Sequence, residues 1–146
     1  MAVVAAVVLA ACAGAAAWTL SLQDSSASAE LAGQADQLCD DYHRAVGELA
    51  KPPSLDEVPA FAAREKPLAL TLVRQLGRLD PPASEARDYA AFLARVRRQI
   101  ALLDAQRAAA KAHDAAAFHR AAAASKRGRK AEGRVAKRLH FFVCGR

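Results

Sequence analysis

Between the Asp80-Pro81-Pro82 turn and Asp114, apolar residues recur at Tyr89, Phe92, Leu93, Val96, Ile100 and Leu103. That 3-4 spacing places all six on one face of an α-helix and is incompatible with a strand, whose faces alternate every second residue. A long amphipathic helix of this kind must bury its stripe against other helices or a sheet. The rest of the chain offers little for a sheet, because β-branched residues are scarce after the first twenty positions and alanine, the strongest helix former, is abundant. The expected fold class is all-α.

The other helices follow from the same signals. Asp36 is read as the N-cap of a first helix reaching about Ala50, with Leu38, Tyr42, Ala45 and Leu49 on one face and Lys51-Pro52-Pro53 ending it. Ser54-Leu55-Asp56-Glu57 matches a capping box opening a second helix to about Leu79. Val58, Ala62, Leu72, Leu76 and Leu79 mark its buried stripe, and Pro67 predicts a kink within it. Asp114 is placed to cap a fourth helix whose inner face includes Phe118, Ala122, Val135 and Leu139, weakened by Gly128 and Gly133. Phe141 to Arg146 reads as an irregular tail in which Phe141 and Phe142 plug the core. Short connections favour antiparallel neighbours, hence an up-down-up-down four-helix bundle over residues 36–146.

The N-terminus sets the expected compartment. No charged residue occurs before Asp24. Residues 1–22 read as a transmembrane anchor or signal helix, since nineteen helical residues rise about 28 Å against a hydrocarbon core of ~30 Å. Three processing routes fit: an uncleaved anchor, a signal peptide cut after Ala27-Ser28-Ala29, or a lipoprotein with Cys12 lipidated after Leu9-Ala10-Ala11. Residues 23–35, rich in serine, read as a polar linker. The expected location is the cell membrane with the helical domain on the extracytoplasmic side, secretion being the alternative.

That compartment decides how the cysteines are read. Cys39 lies early in the first helix and Cys144 follows the last. In an up-down-up-down bundle those ends share a pole, which predicts a disulfide closing a loop of roughly 100 residues. The alternative is a zinc site from two pairs, Cys39 with His43 and His140 with Cys144, because residues four apart on a helix share a face.

The charge is uneven. Residues 30–110 carry 11 basic and 12 acidic groups, whereas residues 111–146 carry 10 basic and 2 acidic. Lys126, Arg127, Lys130, Arg134, Lys137 and Arg138 fall within about 120° of one another on a helical wheel. A solvated outer face is the bland reading. The functional reading is attraction to anionic lipid or an anionic cell-wall polymer. Nucleic acid is disfavoured as a partner, since the stripe has no interleaved aromatics for base stacking and no DNA-binding motif.

Nothing in the chain assembles a reaction. Asp40 and Asp41 are adjacent and diverge, His113 and His119 lie on different faces, and neither a phosphate-binding glycine loop nor a nucleophile elbow occurs. No cofactor is implied, and the reading is a non-enzymatic protein with a binding or structural role. Few bulky side chains leave room for a small-molecule cavity between helices, without a pattern naming its ligand.

Asp36-x-x-Cys39, Pro52-Pro53-Ser54-Leu55, Leu79-Asp80-Pro81-Pro82 and Val143-Cys144-Gly145, behind an apolar leader, resemble a group of small extracytoplasmic proteins, many lipoprotein-like, from high-GC Gram-positive bacteria. The resemblance implies an exported helical domain with paired cysteines and carries no activity. The chain departs from it in having no basic residue before its apolar run.

Overall fold

A computed structural model describes the backbone of residues 3–146 and side chains from Ser25 onward. The described residues form four α-helices, α1 (Val3–Gly47), α2 (Val58–Leu76), α3 (Ala86–Lys111) and α4 (Ala115–Arg138), with a 3-10 turn at Leu55–Glu57 and no strand. The all-α class expected from the 3-4 spacing is what the chain adopts. No helix among the described residues is long and apolar enough to cross a membrane. The leader and Cys12 lie outside the residues whose side chains are described.

α3 is the central element, packing against both α2 and α4, while α1 packs against α2. Cross-helix pairs run in reverse order along neighbouring helices. Lys66 meets Asp104, and Tyr89 donates to the Leu76 carbonyl. Arg138 meets Asp88, and Ser125 meets Gln99.

One hydrophobic core joins α1, α2, α3, α4 and the tail. Phe92, Phe141, Leu76 and Leu139 are its largest fully buried side chains. Phe92 and Phe141 meet edge to face with centroids 5.3 Å apart, and Phe141 makes a second such contact with Tyr89 at 6.2 Å. That geometry sets the positive ring edge of one aromatic against the negative face of the other.

Several local expectations hold and several do not. Asp114 caps α4, its side chain accepting from the Ala117 N–H at 2.8 Å. The residues from Ser25 to Ala35, expected as part of a polar tether, are helical, and Leu31, Ala32 and Ala35 lie in the core. Leu31, Ala35, Leu38 and Tyr42 continue one apolar face, so burial outweighs the modest helix propensity of the serines. Asp36 therefore lies inside α1 and caps nothing at its start.

The capping box does not form either. Ser54 makes no side-chain cap, and the chain takes a 3-10 turn before α2 begins. Pro67 sits within α2, which continues through it to Leu76. Of the two tail phenylalanines only Phe141 fills the core; Phe142 is 74% exposed.

Candidate functional site

Three features lie within reach of function: the cysteine pole, the outer face of α4, and a cavity between the helices.

At the pole, Cys39 and Cys144 form a disulfide with Cα atoms 5.2 Å apart and a sequence separation of 105. The bond ties α1 to the irregular tail after α4. Asp36, one turn before Cys39, completes the closure. Its carboxylate accepts from the backbone N–H groups of Phe142 and Val143 at 2.8 Å each, and of Cys144 at 3.1 Å. The tail has no secondary structure to satisfy these donors, so one anionic side chain does so. His140 turns the chain into the tail with φ of 58°, the left-handed region.

Gly133 lets the tail approach. A Cβ there would stand 2.9 Å from the Gly145 carbonyl oxygen. Sequence reasoning saw this glycine only as a weak point of the helix. Its role as a seat for the tail depends on a contact between α4 and residues beyond its end.

The disulfide corrects the zinc alternative. Both sulfurs are bonded to each other, which removes two of the four ligands proposed with His43 and His140. Among the described residues no group of three or more His, Cys, Asp or Glu is placed to hold a metal ion.

The basic stripe of α4 is presented as expected. Lys126, Arg127, Lys130, Arg134, Lys137 and Arg138 are all exposed, opposite the face that buries Ser125, Val135 and Ala136. Arg138 differs from the other five. Its guanidinium donates to both carboxylate oxygens of Asp88, from Nε at 2.8 Å and from Nη2 at 2.9 Å. The hydrogen bonds from Arg138 hold the Asp88 carboxyl below the usual range for aspartate. Arg138 thus braces α4 against α3. Among the described residues, the other five cations take part in no salt bridge.

The cavity, of about 210 Å³, opens beside the disulfide between all four helices. Ala69, Leu72, Phe92, Val96, Ile100 and Leu103 supply apolar wall. Ile100 and Leu103 continue the regular stripe of α3 yet are only half-buried, because the stripe borders open space here. The polar wall holds two groups. In the first, Ser125 donates to Gln99 at 3.0 Å, and Arg129 donates to the Ser125 hydroxyl at 2.8 Å. Gly128 gives Gln99 its place, since a Cβ there would run into the Gln99 amide.

The second group is acidic. Tyr42 donates to Glu65 at 3.1 Å. Burial, with the Glu65 carboxylate adding to it, pushes the Tyr42 phenol well above its ordinary range. Glu132 projects from α4 with one carboxyl oxygen, Oε2, out of solvent and without a hydrogen-bond partner among the described residues. Burial pushes its carboxyl up to about 7, with Arg129 and Arg95 pulling the other way. The 3.6-residue period marks Glu132 as sharing the inner side of α4 with Val135 and Leu139. The burial of its Oε2 depends on how the helices pack and was not readable from spacing.

No family model, curated protein or solved structure matches the chain.

Proposed function

We propose that this chain is a non-enzymatic, extracytoplasmic helical domain, tethered to the cell membrane through its N-terminal segment, that docks on anionic surfaces through the outer face of α4. The observation that carries the reading is a row of exposed cations, Lys126, Arg127, Lys130, Arg134 and Lys137, left out of every salt bridge among the described residues. An outer face whose only task is solvation is usually laced with carboxylates, which reduce its self-repulsion. This face has none nearby on its own helix, where Glu132 points inward.

The extracytoplasmic reading draws its support from the Cys39–Cys144 bond, because structural disulfides persist in oxidising compartments. The reverse-order pairs of α2 with α3 and of α3 with α4 support the up-down-up-down topology. That topology leaves α4 with an open outer face. Residues 1–22 supply the tether in this reading, by insertion or by lipidation of Cys12.

Co-sedimentation of the full chain with vesicles tests the surface. The chain is expected to bind vesicles containing anionic lipid, to bind zwitterionic ones less, and to lose the difference in high salt. Each lysine or arginine near an anionic bilayer contributes about 1 kcal/mol. Changing the five cations to glutamine is therefore expected to weaken partitioning to anionic vesicles at least about a hundredfold. A parallel pull-down on a phosphate-rich cell-wall polymer separates the two sources of negative charge. Equal binding to neutral and anionic surfaces, unchanged in the five-fold variant, would contradict the proposal.

A further inference from the structure

The four helices leave one seam of the body unclosed. α1 packs against α2, α2 against α3 and α3 against α4, whereas α1 and α4 lie too far apart to pack closely and are joined through the tail by the Cys39–Cys144 bond. The cavity of about 210 Å³ occupies that seam. A closed four-helix bundle fills this place with apolar side chains from both flanking helices. Here α4 contributes only Ser125, Arg129 and Glu132 to the wall, so Ile100 and Leu103 of α3 stay half-open. The volume exceeds the ~150 Å³ apolar cavity that takes up benzene. α3 borders it from Phe92 to Gln106, about 21 Å of helix, and α2 from Glu65 to Leu72, about 10 Å. A space of this volume drawn out along two helices is long and narrow.

The charged lining asks for no ion. Glu65 and Glu132 are balanced by Arg129 and Arg146, with His43 beside them. Tyr42 donates to Glu65, Arg129 to Ser125 and Ser125 to Gln99, so the polar groups are occupied with one another. The unpaired Oε2 of Glu132 presents no surface that an occupant can touch. Arg129, Arg146 and His43 are exposed residues, where water screens them. An ion entering a half-enclosed space loses hydration, and no buried counter-charge is set aside here to offset that loss. What remains unmatched is the hydrocarbon of Val96, Ile100 and Leu103.

We propose that this cleft binds an uncharged, unbranched alkyl amphiphile, its chain laid along the apolar stripe of α3 and its polar end at the mouth. The site rests on neither the N-terminal tether nor the basic face of α4. A slender chain matches the drawn-out space, and its burial covers the half-open Ile100 and Leu103. Affinity then comes from apolar contact and grows with chain length, by about fourfold for each methylene, until the cleft is full. A charged head adds nothing, because the charges of the lining already balance.

Photolabelling of the oxidised full chain in nanodiscs of zwitterionic lipid, with a diazirine-bearing octanol as the probe, tests this. The expected label saturates and concentrates on the tryptic peptide of residues 99–107, which carries Ile100 and Leu103. Unlabelled 1-octanol is expected to displace it. Two methylenes fewer, 1-hexanol is expected to need about fifteenfold more free alcohol in the aqueous phase. Octylammonium and octanoate are expected to compete no better than octanol. Ile100→Trp fills the cleft and is expected to abolish the saturable label while helical content and the disulfide stay intact. Should that variant fail to fold, the chain-length series on the unaltered chain still decides. Label that does not saturate, label spread evenly over exposed peptides, a flat chain-length series, or either ion competing better than octanol would each overturn the proposal.

Discussion

The cysteine pole and the middle of the helical body are built from the same alanine-rich helices, yet they pack to opposite results. At the pole, Phe92, Phe141, Leu76 and Leu139 are fully buried, and the tail is fastened by a disulfide and by three hydrogen bonds to Asp36. Farther along α3, Ile100 and Leu103 are half-open and border a cavity that reaches back to the disulfide. Glu132 also lines it, with one carboxyl oxygen buried and, among the described residues, without a hydrogen-bond partner. Alanine lets helix backbones come close but fills little volume between them. Where the tail adds Phe141 the space closes; where no large side chain arrives it stays open. Tightness in this molecule is local, and it comes from the segment after the last helix.

The largest test of that contrast removes the staple. Replacing Cys39 and Cys144 with serine is expected to lower the unfolding free energy by about 4–5 kcal/mol in the chain-entropy model, read by urea denaturation. A loss below about 1 kcal/mol would mean that the pole holds without the bond.

Asp36→Ala comes next. It leaves three backbone N–H groups of the tail without their acceptor, for an expected loss of roughly 3 kcal/mol, with Asp36→Asn losing less. Because Asp36 and the disulfide fasten the same segment, the losses are expected not to add when the changes are combined.

Glu132 tests the open middle. Its carboxyl titrates near 7 in the fold and near 4.5 when exposed, so the folded chain holds this proton more tightly than the unfolded chain. The stabilisation from that proton is complete below about pH 4.5 and is lost as pH rises toward 7 and beyond. The loss is on the order of 3 kcal/mol at most. Glu132→Gln is expected to flatten this part of the stability profile and to be the more stable chain at pH 8. A variant that loses stability there would show that the carboxylate is paired.

The two helix glycines give the smallest effects and the sharpest contrast. Gly133→Ala sets a methyl 2.9 Å from a backbone carbonyl of the tail and is expected to destabilise. Gly128→Ala meets only the end of the Gln99 side chain, which can swing away. It is expected to be near neutral, the helix-propensity gain of up to about 1 kcal/mol offsetting the lost Gln99–Ser125 bond. Thermal unfolding of the pair checks both.

Local chemistry written in the sequence carries the helices and the staple. The 3-4 stripe of α3, the Asp114 cap and the positions of Cys39 and Cys144 each follow from spacing or from helix order. What escapes such reading depends on residues far apart in the chain. Asp36 looks like a helix cap because nothing before it announces that the helix has already begun, and its partners lie more than a hundred residues away. Gly133 looks like a weakness until Gly145 is placed against it. Phe142 looks like its neighbour Phe141, and only the turn at His140 sends one inward and the other out. Glu132 has the register of the inner face of α4, but only the packed helices reveal that one of its carboxyl oxygens is buried without a partner among the described residues.

Peptide mapping of the chain isolated from its producing cells, alkylated before digestion and without reductant, tests the covalent closure of the pole most directly. A cross-linked fragment joining Cys39 to Cys144 is the expected product, resolving into two peptides on reduction. Recovery of both cysteines as alkylated free thiols would contradict the closed pole, and with it the oxidising compartment on which the proposed function rests.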